Sequence, residues 1–253
     1  MELYLAAAPD RLSRVRQFNV PLAHAAYRVD PAGRLAAREL PQQVRGGLMM
    51  LSDWKLPDAM VPEVLCRDIL QECQRRGYGG AVLDFDQAPS SRAVRLLRLL
   101  EESLARQHRR LFVPEAWGSY ARQATVLICT AISGGTLRQR LEDAVRQFAP
   151  KPLALDCQRL AMDFLLPSPN GEGSPLTTVQ LDRLRQGHNV YFSQDLCARY
   201  FTYRTSSRTH FVLFDDADTL RRKLALGEDL GIGTAFFMLP EVDDLLEELF
   251  GKR

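Results

Sequence analysis

Short apolar runs alternate with amphipathic stretches along the chain. The runs are continuously hydrophobic, as buried strands are, and the stretches between them repeat apolar residues at helical spacing. Eight runs qualify as strands: 2–8, 21–29, 46–52, 80–86, 110–114, 125–131, 152–157 (or its extension to 166) and 233–239. Continuous apolar strands separated by helices are typical of a parallel sheet covered by helices.

Helical patterns follow several of these strands. The stretch after residue 61 repeats apolar side chains at Leu65, Ile69 and Cys73, and Thr136 is placed to cap a later helix. Eight strands with intervening helices in 253 residues match a (β/α)8 barrel, with an open doubly wound sheet as the alternative. Against the open sheet, no GxGxxG or GxxxxGK[ST] sequence opens any helix.

One segment departs from this alternation. Residues 189–214 are rich in aromatic and β-branched side chains and are interrupted by the sequence TSSRT, which predicts hairpin-like strands. We therefore predict a single domain over residues 1–253. It is an α/β protein, a TIM barrel with a small β-rich insertion at about 189–214, between strands seven and eight.

Composition and charge narrow the possible functions. The net charge is +2 and arginines are scattered among acidic residues, so a nucleic-acid-binding surface is not indicated. No run approaches the ~18 apolar residues of a membrane span, and no basic signal-peptide region is recognisable, so we expect a cytoplasmic protein. The five cysteines predict reduced thiols, and the four histidines have no zinc-ligand spacing. We expect neither a metal nor a cofactor, and the oligomeric state is left open.

The sequence GYGGAVLDFD, residues 77–86, carries the candidate chemistry. Asp84 and Asp86 lie two residues apart at the end of a predicted strand, so their side chains point to the same face. In a barrel this face lines the C-terminal mouth, where TIM-barrel active sites lie. Two such carboxylates repel each other, which raises one pKa, as a general acid requires. Alternatively, both acids only cap strand-end amides or pair with an arginine.

This sequence resembles the phrase G-Y-D-G-I-D-I-D-F-E on the fourth barrel strand of glycoside hydrolase family 18, which includes the chitinases. The identical residues are Gly77, Tyr78, Gly80, Asp84 and Phe85. Residues 200–239 resemble the family's closing segment, in which a strand ending in two acids precedes a helix and strand eight. The resemblance implies a TIM barrel that binds a carbohydrate. It also places Asp86 where the family has the glutamate that protonates the leaving-group oxygen.

Several positions depart from the family pattern. The shorter Asp86 withdraws the carboxyl group by ~1.5 Å, and misplacement on that scale lowers the rate by about a hundredfold. The family's M-T-Y-D, whose tyrosine and aspartate contact the N-acetyl group, corresponds to CTAI, so Ala131 and Ile132 replace both. Met238 falls near the position at which the family has a strand-eight tryptophan that forms the floor of a sugar-binding subsite. The resemblance therefore implies impaired or absent catalysis.

Further substrate-binding candidates lie near predicted strand ends. Tyr78, Trp54 and Trp117 are candidates for stacking on a sugar ring, although aromatic residues more often pack in the core. Glu115 and Asp53 are candidates for a displaced acid, and capping of the next helix is the simpler interpretation of each.

Three functions stay open. The first is a divergent, catalytically impaired barrel that binds a carbohydrate. The second is an active glycosidase on N-acetylglucosamine-containing glycans, with Asp86 as the acid and Asp84 orienting the acetamido group. The third is an intracellular scaffold or interaction protein that uses only the shape of the barrel.

Overall fold

A computed structural model describes residues 1–38, 40–41, 44–53, 56–167, 171–206 and 208–251, and only the backbone of Asp53. The strands are β1 (Glu2–Ala7), β2 (Leu22–Val29), β3 (Leu35–Ala37), β4 (Leu48–Asp53), β5 (Gly80–Phe85), β6 (Arg110–Pro114), β7 (Thr125–Cys129), β8 (Leu153–Asp156), β9 (Ala161–Leu166), β10 (Gly173–Pro175), β11 (Tyr191–Ser193), β12 (Ala198–Arg204), β13 (Thr209–Phe214) and β14 (Thr234–Met238). The α-helices are α1 (Leu12–Val15), α2 (Pro62–Arg76), α3 (Ser91–Arg106), α4 (Leu137–Phe148), α5 (Thr178–Arg185), α6 (Ala217–Asp229), α7 (Leu239–Val242) and α8 (Leu246–Phe250). Single 3-10 turns lie at Pro9–Arg11, Glu115–Trp117 and Asp243–Leu245.

Eight parallel strands close into a barrel. In order around it they are β1, β2, β4, β5, β6, β7, β8 and β14. The ring closes because β1 pairs in parallel with β2 on one side and with β14 on the other. All eight predicted runs overlap these strands. The predicted TIM barrel is therefore confirmed, and the open doubly wound sheet is wrong.

Side chains fill the interior of this barrel. Tyr4, Val82, Phe112 and Phe236 point inward from four different strands. They pack with alanines of β2 and β8 and with the larger Leu48 and Met50 of β4. The Tyr4 ring stacks on Phe236 with 5.1 Å between ring centroids, and Phe112 meets Phe236 edge to face at 5.0 Å. Such a packed interior leaves the two ends of the barrel for binding a ligand.

Amphipathic helices cover the outside of the barrel. Thr136 caps α4, as the sequence predicts, and Ser90 caps α3 by accepting a hydrogen bond from the Ala93 N–H. The βα alternation is less regular than expected, because no α-helix lies between β2 and β4 in the described chain and only a 3-10 turn connects β6 to β7. No helix of the described chain is long and apolar enough to span a membrane.

The insertion between strands seven and eight is larger than predicted. Five strands, β9 to β13, form a separate antiparallel sheet in the order β10-β9-β13-β12-β11. This sheet and α5 span residues 161–214, so the predicted bounds of about 189–214 are wrong at the start. The run 152–166 is not one strand, because its second half, β9, pairs with the distant β13. Local apolar patterning does not encode such a long-range pairing.

The insertion lies beside the C-terminal end of the barrel. One face of its sheet packs under α5 through Phe201, Val212 and Phe214. The opposite face packs against Ala131 and Ile132, which follow β7. The insertion therefore contacts the barrel at the end where TIM-barrel sites lie.

Candidate functional site

Carboxyl groups from three elements meet at the C-terminal mouth of the barrel. Asp84 lies near the end of β5, Asp156 ends β8, and Glu241 lies in α7, directly after β14. Val82 and Ala154, two residues before the aspartates, belong to the interior cluster. Because strand side chains alternate, Asp84 and Asp156 also face the barrel axis.

Asp84 is the half-buried member of the acid pair in the GYGGAVLDFD sequence. Its Oδ2 accepts a hydrogen bond of 2.9 Å from Ser52 Oγ, which lies at the matching position of the neighbouring strand β4. Burial raises the pKa of Asp84, the Ser52 hydrogen bond opposes this rise, and the charge of Asp86 adds to it. Desolvation therefore acts on Asp84 more strongly than the neighbouring charge does.

Asp86 lies one residue beyond β5 and is exposed. Its charge makes the smallest of the three contributions to the raised pKa of Asp84. The exposed position leaves Asp86 in contact with solvent, whereas a general acid is kept protonated by a site that excludes water. The predicted catalytic role of Asp86 stays a prediction.

Asp156 is a mouth residue that the sequence analysis missed. Its Oδ2 accepts a hydrogen bond of 2.8 Å from Gln158 Nε2. Burial raises the pKa of Asp156 to about 6, the Gln158 hydrogen bond opposes this rise, and the charges of Glu241 and Asp84 add to it. The sequence could have indicated this residue. The predicted strand contains LALD, in which Asp156 lies two residues after the inward-facing Ala154 and therefore points to the same side.

Glu241 belongs to the edge of the mouth. Burial raises the pKa of Glu241, while the Arg159 N–H, which donates to its Oε2 at 3.0 Å, and the Arg159 charge lower it. The Arg159 guanidinium also donates to the Glu241 carbonyl oxygen at 2.9 Å and to Asp244 Oδ1 at 2.5 Å. These contacts attach the segment after β14 to the connection between β8 and the insertion.

Two aromatic candidates lie in the core and not at the mouth. Trp117 is 1% exposed, stacks on Phe85 at 5.2 Å, and donates from Nε1 to the Gln87 carbonyl oxygen at 2.9 Å. Tyr78 is also 1% exposed; it precedes β5, at the opposite end of the strand, and its hydroxyl bonds that of Tyr27 at 2.8 Å. Neither ring presents a face to a sugar, because apolar burial places both in the core.

The other predicted substrate-binding residues lie at or just after the ends of barrel strands. Glu115 accepts a hydrogen bond of 2.6 Å from Arg140 Nη2, so it is an ion-paired acid at the end of β6. Asp53 ends β4, but its side chain lies outside the described residues, as does the whole of Trp54. Met238 ends β14, is half-buried, and packs against the interior cluster at the mouth.

Ala131 and Ile132, which follow β7, join the barrel to the insertion. Ala131 and Ile132 are half-buried and pack against an apolar cluster of the insertion sheet that includes Leu213. They offer no side-chain donor or acceptor to a ligand. The polar groups of the mouth are therefore mainly its carboxyl groups, which accept hydrogen bonds when ionised and donate one when protonated. In the described residues, no group of three or more His, Cys, Asp or Glu side chains is arranged to hold a metal ion.

Comparison with known proteins gives a clear result for the fold. No protein-family model matches the sequence, and no curated protein matches it. The spore cortex-lytic enzyme SleL of Bacillus cereus is similar in structure, with a TM-score of 0.68 and 18% identity over 98% of this chain and 74% of that chain. A chitinase from Chromobacterium violaceum gives a TM-score of 0.63 and 14% identity over 99% of both chains.

A GH18 chitinase from Cycas revoluta, in complex with (GlcNAc)3, gives a TM-score of 0.65 and 14% identity over 99% of both chains. At such identities the similarity establishes the fold alone. This chain therefore shares the eight-stranded parallel barrel of GH18-type chitinases and of the cortex-lytic enzyme SleL.

Proposed function

We propose that this protein is a divergent, chitinase-like barrel that binds a carbohydrate at its C-terminal mouth and has impaired or no hydrolytic activity. One observation carries the proposal: Asp84, hydrogen-bonded to Ser52, faces the barrel axis at the end of β5. This is the position of an acid in the family phrase that the sequence resembles. The solved structures with the same fold include a chitinase in complex with (GlcNAc)3.

The chemistry of the mouth suits a sugar. Sugar hydroxyl and amide groups are hydrogen-bond donors, and the carboxylates of Asp84, Asp86 and Asp156 are acceptors. Asp84 and Asp156 extend from barrel strands, which hold them more rigidly than loops would. Charge-assisted hydrogen bonds from a ligand to such groups are worth about 1.5–3 kcal/mol each.

The same geometry indicates impaired catalysis. Asp86 is one methylene shorter than glutamate and is exposed, which is unfavourable for a proton donor. Ala131 and Ile132 pack on the insertion, so the side chains that would hold an acetamido group are missing. Hydrolysis remains the second candidate function, because burial raises the pKa values of Asp84 and Asp156, as a proton donor requires.

Binding and turnover are measured on the same preparations. We expect saturable binding of (GlcNAc)3 by isothermal titration calorimetry, weakened at least about tenfold in Asp84→Ala, because a charged hydrogen-bond acceptor is lost. Asp182→Asn is the control, since Asp182 is exposed on α5, and it should bind as the wild type does. We expect no release of fluorophore from a fluorogenic chitobioside.

The outcomes separate the three functions. Fluorophore release that is lost in Asp86→Asn would establish the active glycosidase instead. The absence of binding to any chitooligosaccharide, together with a stably co-purifying protein, would contradict the proposal and favour a scaffold.

A further inference from the structure

A cavity of about 400 Å³ opens at the N-terminal end of the barrel, opposite the mouth. It lies between α1, the start of β2 and the loop that leads into β4. Of the described residues that line it, Arg16 and Arg45 are charged and none is acidic. Arg14 of α1 is ion-paired with Asp243 at 2.7 Å, whereas Arg16 follows this helix directly and is exposed. The cavity therefore presents guanidinium groups to a ligand.

His24 forms part of the wall of this cavity and is 3% exposed. Its Nε2 lies 3.2 Å from the Gly46 carbonyl oxygen. Because a carbonyl oxygen only accepts hydrogen bonds, Nε2 carries the proton, and Nδ1 of the neutral ring is an acceptor. Among the described residues, no group donates to Nδ1. A buried acceptor without a donor is costly, so this position suits a ligand that donates a hydrogen bond.

The surroundings of His24 keep its ring neutral and fixed. Burial lowers the pKa of His24, the Gly46 hydrogen bond opposes this effect, and the charge of Arg76 adds to it. The ring also packs on Tyr78, with 5.4 Å between ring centroids. Nδ1 therefore presents a lone pair, and not a proton, from a ring of defined orientation.

The charges behind the cavity also favour an anion. Arg75 and Arg76 end α2, and both pair with Glu72, with N–O distances of 2.6 Å and 3.3 Å. One carboxylate there faces two guanidinium groups. Arg45 donates to the Arg75 carbonyl oxygen through Nη1, and its four other N–H donors can serve a ligand. An anion that enters the cavity is therefore attracted by the charges around it.

We propose that this cavity is an anion-binding site that selects hydrogen phosphate. The guanidinium groups of Arg16 and Arg45 donate to the phosphate oxygens, and the phosphate hydroxyl donates to Nδ1 of His24. Guanidinium groups match phosphate oxygens in geometry and charge. Sulfate has the same double charge at pH 7.5 but no hydroxyl, so one of its oxygens would face the Nδ1 lone pair. The site lies at the opposite end of the barrel from the proposed carbohydrate site and does not depend on it.

Isothermal titration calorimetry at pH 7.5, at constant ionic strength, compares the two anions. Phosphate should bind at least about tenfold more tightly than sulfate, because only phosphate satisfies Nδ1. Arg16→Gln should weaken phosphate binding about tenfold, since a charge-assisted hydrogen bond is lost. Arg183→Gln is the matched control, because Arg183 is an exposed arginine on α5, and its phosphate affinity should equal that of the wild type.

Methyl phosphate distinguishes free phosphate from a phosphate ester. Its second pKa is about 6, so at pH 7.5 it is mostly doubly ionised and has no hydroxyl to donate. We expect methyl phosphate to bind as weakly as sulfate. Methyl phosphate binding as tight as that of phosphate would contradict the role of Nδ1 as an acceptor.

Nitrogen-15 NMR of His24 in the wild type provides a measurement that needs no substitution. Saturating phosphate should shift the Nδ1 resonance, and sulfate should leave it unchanged. His24→Phe, which removes Nδ1, should abolish the preference for phosphate over sulfate. Equal affinities of the wild type for the two anions, no phosphate binding, or an unshifted Nδ1 resonance would overturn the proposed anion site. None of these outcomes bears on (GlcNAc)3 binding at the mouth.

Discussion

Replacing Asp156 by asparagine tests how strongly the barrel mouth opposes the ionisation of its own carboxyl groups. Burial raises the pKa of Asp156 from 3.8 to about 6 in the folded protein. The folded state therefore binds this proton more tightly than the unfolded chain does. As the pH rises from 3.8 through 6, the unfolded chain releases the proton first, and the folded protein loses stability.

The magnitude follows from the size of the shift. One pKa unit corresponds to 1.36 kcal/mol, so a shift of about 2 units is worth about 3 kcal/mol across the whole titration. Between pH 4.0 and pH 7.5, linkage assigns about 2 kcal/mol of this loss to Asp156. Asparagine does not ionise. The free energy of unfolding of Asp156→Asn, relative to the wild type, should therefore increase by about 2 kcal/mol over this pH range.

Urea unfolding followed by far-ultraviolet circular dichroism measures this quantity. The free energy of unfolding of each protein is measured in urea at pH 4.0 and at pH 7.5. Subtracting the change with pH in the wild type from the change in Asp156→Asn removes every pH effect that the two proteins share. Asp182→Asn is the matched control, because its acid is exposed, and the corresponding value should stay within about 0.5 kcal/mol of zero. Parallel pH dependences for the wild type and Asp156→Asn would refute the reasoning.

A stabilising substitution at Asp156 indicates a functional residue only if sugar binding is lost with it, because stabilising changes at binding sites recurrently cost activity. A variant that is more stable at neutral pH, but binds (GlcNAc)3 more weakly, would show this exchange directly. A variant that is more stable and binds sugar as the wild type does would leave Asp156 without a role in binding.

Three further predictions concern the framework of the barrel. Lys223→Met leaves Asp215 buried without its ion-pair partner at 2.7 Å and should lower the free energy of unfolding in urea by about 3–5 kcal/mol; a loss below about 1 kcal/mol would contradict this. Gly80→Ala places a Cβ atom 2.2 Å from the Arg110 carbonyl oxygen, so the Tm should fall, and an unchanged Tm would refute the close contact. Trp117→Phe keeps an aromatic ring in the core. Its (GlcNAc)3 affinity should stay within about twofold of the wild-type value, because the hydrogen bond and the ring contact of Trp117 are both made inside the protein. A tenfold loss of affinity would instead place this ring at the sugar.

The barrel could be predicted because its strands are buried on both faces. The interior and the outer helices each require apolar side chains, so β1, β4 and β5 are continuous apolar runs that single-sequence patterns reveal. The insertion was harder to delimit. Its first strand, β9, is also apolar, and only its pairing with β13, more than forty residues away, assigns it to a second sheet.

Only part of the candidate site could be predicted, because some of its residues are recognisable from local sequence and others are not. Asp84 could be found because a contiguous phrase of the chain contains it and period-two alternation gives its direction. Asp156 comes from a strand about seventy residues later, and only barrel closure brings it near Asp84. Trp117 and Tyr78 could not be assigned from sequence, because an aromatic residue near a strand end fits the core as well as a sugar subsite.

The amino-acid sequence by itself determined the eight strands of the barrel in their order, the inward direction of Asp84, and the apolar character of positions 131 and 132. These properties are local, since hydrophobic period and residue identity are written along the chain. Only the tertiary structure decided which carboxyl groups share the mouth and which aromatic rings are buried. Burial and electrostatic repulsion depend on distances between residues far apart in sequence, and those distances exist only after the barrel has closed.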